Sequence, residues 1–313
     1  MSSQISPLAR ERLEAGRSNT SIGSALDYPH EDYGKAQGEE DSDTCGQNWP
    51  QPPKREAFYG IAGEIVRTIE PHSESDPAAL LVQFLVGFGN LIGRRAHFVA
   101  EADRHFTNLF AVIVGKTSKA RKGSSLGQVG HFLRGVDSGW AMERIVSGLS
   151  TGEGLIWYVR DEIFQSVPTK NNGGVTGCQT VMTDEGVKDK RLLVTEPEFG
   201  RVLKAAERKE NTLSAVVRQC WDTGDLQCLT RSQPARSTHA HISLIGHITK
   251  DELRALLTDS MMCNGFANRF LWVCAKRSKL LPEGGEMHRV GAADSQAHRS
   301  RQLLTRDGPN GAR

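Results

Sequence analysis

Two hydrophobic periods alternate along the chain, one of about 3.6 residues and one of runs or alternations, and together they lay out its elements. A helical period covers about Ala57 to Ile69. A second helix is expected from Ser75-Asp76-Pro77, where a capping side chain followed by proline satisfies or removes orphan N–H groups. It carries Leu80, Leu81, Phe84, Leu85 and Phe88 on one side. Its apolar stretch, Ala78 to Ile92, is broken by Gln83 and Asn90 and falls short of the roughly 20 residues a membrane span needs, so it reads as a buried helix and no membrane is implied. Ala96 to Ala100 predicts a short strand. Asn108 to Val114 is near-continuously apolar, as suits a central strand buried on both faces. A turn rich in Gly and Lys follows, then helices over Ser124 to Leu133 and about Gly154 to Arg160, and then a polar, Gly-containing stretch from Ser166 to Lys190 that reads as a loop.

The second half repeats the rhythm. Arg191 to Thr195 predicts a strand and Pro197 to Glu207 a helix; Thr212 to Trp221 predicts another helix and Leu226 to Thr230 a short strand. His241 to Gly246 is a second central strand, Thr249-Lys250-Asp251-Glu252 opens a helix with a capping box, and Arg269 to Cys274 is a last strand. Strands alternating with helices imply an α/β fold with a mostly parallel sheet and flanking helices, whose chemistry lies beyond the strands' carboxyl ends. Residues 1–53, rich in Ser, Gly, Asp and Glu, bury too little apolar surface to offset their ordering entropy and read as a disordered arm. A helical segment over 54–106 then precedes the core over 107–282, and 283–313 reads as a disordered tail.

Composition changes this picture in three places. The chain of 313 residues can bury a sizeable core, while 39 Lys+Arg against 37 Asp+Glu exclude nucleic-acid binding by bulk charge, so any such contact must be a local patch. The six cysteines form no C-x-x-C pair, which argues for reduced thiols rather than zinc. The amino terminus has no apolar core of a secretory signal, so a cytoplasmic location is expected.

The strongest chemical signal is Val114-Gly115-Lys116-Thr117-Ser118-Lys119-Ala120-Arg121-Lys122-Gly123-Ser124-Ser125, set between a buried strand and a helix. Small residues, a lysine and a hydroxyl at a helix amino terminus make an anion cradle, because unbonded N–H groups and the helix dipole face the phosphates. Its spelling departs from G-x-x-x-x-G-K-[ST]: six residues separate Gly115 from Lys122, and Gly123 stands between that lysine and Ser124. A basic turn that touches nucleic-acid backbone is the alternative. Next, Leu192 to Gly200 forms a strand ending in Glu196 and Glu198, placed where a nucleoside triphosphatase holds its Mg²⁺-linked and water-orienting carboxylates. Thr195 stands where the metal-linked Asp is expected, leaving the metal to Ser124, water and Glu196 or Glu198; the alternative is that Glu196 caps the next helix and Glu198 is solvated. His247, at the end of an apolar run, suits a phosphate sensor or a histidine satisfied by backbone. Arg218 and Arg269 suit a charge-stabilising finger or structural ion pairs.

These residues, with Phe58 to Gly63, Pro71 to Leu80, Asp189 to Leu193, Asn211 to Ser214, Trp221-Asp222, Gly246 to Thr249 and Asn264 to Phe270, resemble the bacterial family catalogued as domain of unknown function 3987. The resemblance covers about Ala57 to Gly285. It implies a RecA-like P-loop NTPase core, similar to replicative helicases of plasmids and phages, with ATP and Mg²⁺ as cofactors, single-stranded DNA as partner, a homo-oligomer, and primase or other replication proteins as associates. Carried over, it makes Gly115, Lys122, Gly123 and Ser124 the phosphate-loop residues, beside which Lys119, Arg121 and Ser125 of the same stretch are further nucleotide-binding candidates, and it makes Glu196, Glu198, His247 and Arg269 catalytic ones. The family's domain continues past Gly285 with more helical sequence, so a shortened copy is expected here.

Overall fold

The structure is a computed structural model and describes residues 49–116, 122–171, 174–229 and 236–285. Five strands form a parallel sheet flanked by helices: β3 (Phe110–Gly115), β4 (Ile145–Val146), β7 (Arg191–Glu196), β10 (His241–Thr249) and β11 (Leu271–Ala275). Their spatial order is β11-β3-β10-β7-β4. Numbered by appearance in the chain, that is 5-1-4-3-2, so the fourth strand is inserted between the first and third.

Burial on both faces explains why the central strands read as apolar runs rather than alternations. Successive side chains of β3 point to opposite layers. Phe110, Val112 and Val114 join one core with Leu192, Val194, Ile242 and Leu244 under α5 (Gly152–Trp157), α6 (Phe199–Glu207) and α7 (Leu213–Asp222). Ala111 joins a second core with Leu193 and Ile245 under α1 (Gly60–Ile69), α2 (Pro77–Ile92), α3 (Lys122–Val136) and α4 (Ser138–Glu143).

The helix α2 begins as its sequence predicts, with the Asp76 carboxylate accepting from Ala78 N at 2.9 Å and Pro77 at the first position. The two polar residues that interrupt its apolar stretch are both buried and both bonded. Asn90 Nδ2 donates to Leu192 O and His241 O at 3.0 Å each, and to Ser243 Oγ at 3.2 Å, while Asn90 Oδ1 accepts from Trp140 Nε1 at 3.1 Å. One amide therefore ties α2 to β7, β10 and α4. Gln83 Nε2 donates to Ser125 Oγ at 2.7 Å, and the Leu133 side chain of α3 packs so closely on α2 that a Cβ at Gly87 would stand 2.4 Å from its Cδ1. At the other end of α2, Asp76 Oδ2 accepts from Lys276 N and Glu74 Oε1 from Leu281 N, both at 2.9 Å, so the segment after β11 returns to the start of the helix.

Three expectations need correction. The stretch from Ser166 to Lys190 is a loop only at its end; most of it forms an antiparallel ribbon, β5 (Ile163–Asn171) with β6 (Gly174–Asp184). Its Thr and Val residues favour strand, and the glycines that suggested a loop obscured them. The predicted strand at Ala96 is β1 (His97–Ala100), but it pairs with β2 (Asp103–Phe106) in a separate hairpin. The edge strand β4, the helix α4 before it and α9 (Asp259–Cys263) were not predicted, being too short to show a period. The other predicted elements match within a few residues: β8 (Leu226–Gln227) pairs with a strand the sequence did not show, β9 (Arg236–Ser237), and α8 (Lys250–Leu256) is capped by Thr249 Oγ1, which accepts from Glu252 N at 3.3 Å.

Two measurements test this core. Asn90→Ala leaves two strand carbonyls and the Trp140 N–H without the amide that bonds them, and is expected to cost about 3 kcal/mol in urea unfolding. His241 is buried with Nε2 3.0 Å from Gly89 O. Burial, aided by the Arg94 and Arg191 charges, pushes its imidazole down to about 4. The unfolded chain takes up a proton near pH 6.5, which the native state refuses until about pH 4. Stability is thus expected to be level above about pH 6.5 and to fall by up to about 3 kcal/mol between there and pH 4; His241→Gln should flatten that slope.

Candidate functional site

The carboxyl edge of the sheet gathers the ends of β3, β10, β11 and β7. Gly115, the last residue of β3, lies in register with Thr249 of β10 and Ala275 of β11. Glu196, the last residue of β7, pairs with Gly246, three positions before Thr249. The end of β7 is therefore recessed by roughly 10 Å below the tip of β10, given about 3.3 Å per residue. From Gly115 the chain crosses to the amino terminus of α3, whose first turn opens on this same edge.

That turn suits an anion. Its leading N–H groups have no intrahelical acceptor, Gly123 has open space where a Cβ would stand, and Ser124 is exposed. Ser125 is different: it is fully buried, and its hydroxyl is the acceptor from Gln83 that docks α3 on α2. Its place is in the helix interface rather than in the cradle. Lys119 and Arg121 lie outside the described residues, as does the Lys122 side chain.

Register separates the remaining candidates by face. Partners on adjacent parallel strands share a face, and neighbours along a strand alternate. Thr195 pairs with Ile245, which faces α2 and α3, and His247 lies two residues further along that face. Thr195 and His247 thus share the α3 side of the sheet with Ser124. Glu196 pairs with Gly246 and faces the α6 side, where a Cβ on Gly246 would stand 2.5 Å from Phe199 Cδ2. Only glycine lets that ring seal the sheet beside Glu196.

The Glu196 carboxylate is buried, with Oε1 accepting from Gly148 N at 2.7 Å and Leu149 N at 2.6 Å. It braces the loop that follows the edge strand β4. Thr195 Oγ1 adds a bond to Val146 O at 3.3 Å. Glu196 as a helix cap, the structural alternative raised by the sequence, is replaced by this bracing of a different loop. Glu198 is exposed at the start of α6 with no side-chain cap bond. Gly148 and Leu149 escaped sequence reasoning, because backbone donors leave no residue-type signal.

Arg269 stands elsewhere. It precedes β11, whose first residue pairs with Ala111 near the start of β3, so it lies at the amino edge of the sheet. Its guanidinium grips Asp222 through Nη2 at 2.7 Å and Nε at 3.1 Å, and its Nη1 donates to Gly265 O at 2.6 Å. Arg218 likewise donates to Ser214 O and Asn264 O. The Trp221-Asp222 and Asn264 to Phe270 motifs meet here in a structural knot, in which Phe110 packs edge-on against Trp221 and tilted against Phe270. A cleft of about 380 Å³ lies away from all these residues, among Arg160, Asp161, Phe164 and Lys190 at the base of the β5–β6 ribbon.

Comparison of the chain with protein-family models and with curated proteins finds no match. Among the described residues no group of three or more His, Cys, Asp or Glu gathers as a metal cage. Magnesium bound with a nucleotide needs only one or two protein oxygens beside the phosphates, and the exposed Ser124 hydroxyl fits that part better than Glu196, whose Oε1 is committed to two N–H groups.

Glu196→Ala is expected to cost about 2–3 kcal/mol and to speed amide exchange at Gly148 and Leu149, because two N–H groups lose their acceptor. Glu196→Gln keeps an acceptor oxygen and should retain most of that stability, measured by urea unfolding.

Proposed function

We propose that this protein binds ATP with Mg²⁺ at the carboxyl edge of its sheet, as a RecA-like P-loop core, and hydrolyses it to act on DNA in the replication of mobile elements. The observation that carries this reading is the strand order. With the fourth strand inserted between the first and third, the carboxyl end of β3 and the acidic end of β7 lie on one edge with β10 between them. Ligands of open parallel sheets sit beyond such carboxyl ends. The helix α3, the next element after β3, adds its amino-terminal dipole and the Ser124 hydroxyl.

On this reading the first turn of α3 holds the phosphates and Ser124 ligates Mg²⁺, which supplies charge neutralisation at the phosphates. His247 and Thr195 line the α3 side of the sheet. Exposed Glu198 is better placed than Glu196 to orient water. Arg269, at the opposite edge, does not serve its own chain's site; a finger role would fall to a neighbouring copy.

One observation favours a second reading, in which nucleotide or nucleic acid is bound without hydrolysis. Glu196, the acidic strand end, spends its carboxylate on the loop at Gly148 and Leu149.

The deciding experiment is Mg²⁺-dependent ATP binding and turnover by the full chain and its Lys122→Ala variant, with and without single-stranded DNA. The proposal expects turnover that rises with DNA and falls at least about 100-fold in Lys122→Ala, with Glu198→Gln lowering turnover but not ATP affinity. ATP binding without turnover supports the second reading. No ATP binding by the wild type refutes the nucleotide site altogether.

A further inference from the structure

The ribbon of β5 and β6 leaves the domain between α5 and β7, and among the described residues no third strand joins it. Every side chain from Phe164 to Thr169 and from Gly177 to Thr183 is exposed, so neither face is covered by the described part of the chain. A lone two-stranded hairpin is marginal in water and gains stability from a third strand or a covering layer. The base of this one is fixed to the domain: Arg160 grips Asp184 through Nε and Nη2, with Nη2 to Oδ2 at 3.0 Å.

Its two edges differ. The strand β5 contains Pro168, which has no N–H to offer a neighbour, and Lys170, and both are devices that keep an edge from pairing. The strand β6 has neither proline nor charge from Gly174 to Thr183. The apolar residues are divided between the faces: Phe164 lies opposite Met182 on one, while Val181, opposite Gln165, and Val167 lie on the other. A ribbon with apolar residues on both faces is poorly suited to lying flat on a groove. A strand added at its edge extends both faces at once.

The charge pattern selects the occupant. In a twofold antiparallel pairing of identical strands, any charge near the centre meets its own copy at close range, at a cost. The strand β6 brings none. Nucleic acid is a poor fit, since Lys170 is the sole Lys or Arg between Ile163 and Thr183. We propose that the outer edge of β6 pairs antiparallel with β6 of a second copy of this chain, joining two ribbons into one four-stranded sheet across a twofold axis. This does not depend on the nucleotide site.

The test is sedimentation and amide hydrogen exchange of the full chain over a range of micromolar concentrations. A concentration-dependent dimer is expected, with exchange in Gly177 to Thr183 slowing as the dimer fills. The double variant Gln179→Lys/Val181→Lys places like charges across the axis and should weaken the dimer by about tenfold or more, with the thermal midpoint of the monomer, read at concentrations too low for the dimer, unchanged. Mixing it with Gln179→Glu/Val181→Glu should restore a dimer holding one of each, which a misfolded ribbon would not do. A wild type that stays monomeric overturns the proposal, whether the edge amides exchange freely or are protected by another part of the same chain. So does a dimer that the lysine variant leaves intact.

Discussion

The buried amide of Asn90 is the contact on which the domain's arrangement rests. A helix lying on a parallel sheet is held mostly by apolar contact, which has no direction and tolerates sliding. Hydrogen bonds from one side chain to carbonyls of β7 and β10, with the Trp140 indole donating to its amide oxygen, allow one register of α2 on the sheet. Inside a low-dielectric core a slip of one residue would strand several polar groups together, so the network specifies position more than it adds stability. Position matters because α3, and with it the turn that carries Gly123 and Ser124, docks on α2 through Gln83 and Ser125. The first turn of α3 is therefore located through a chain of two buried amides that starts at the opposite edge of the sheet.

The two edges divide the work. At the carboxyl edge, β7 ends three register positions short of β10, and its last residue, Glu196, is buried against the loop at Gly148 and Leu149. At the amino edge, Arg269, Asp222 and a set of aromatic rings lock α7 to β11. Arginines that look alike in sequence thus take different parts, and the partner within reach decides which.

How much of this was legible follows from how far each signal reaches along the chain. The central strands and α2 were legible because burial on both faces, or a cap plus proline, is written in consecutive residues. The alternation of strand and helix gave the parallel sheet. The pairing of Glu196 with Gly148 and Leu149 was not legible, since its donors are main-chain groups some 47 and 48 positions away. Nor was the split between faces that sets Thr195 and His247 apart from Glu196, because it needs the register of β7 against β10. The β5–β6 ribbon was hidden for a local reason: its glycines and polar residues mimic a loop when no core face is present to impose alternation.

The bonds between the start of α2 and the segment after β11 have a kinetic side. Asp76 and Lys276 are 200 positions apart, and Glu74 and Leu281 are 207 apart. Contacts of such separation reward the chain only after the loop between them has closed, which slows folding. Asn90 is in the same position, since its acceptors at Leu192 and His241 emerge from the ribosome 102 and 151 residues later. During synthesis α2 must therefore wait as an apolar helix with an unmatched amide until β10 has been made. That interval is when the nascent chain most needs a chaperone to shield it from its neighbours.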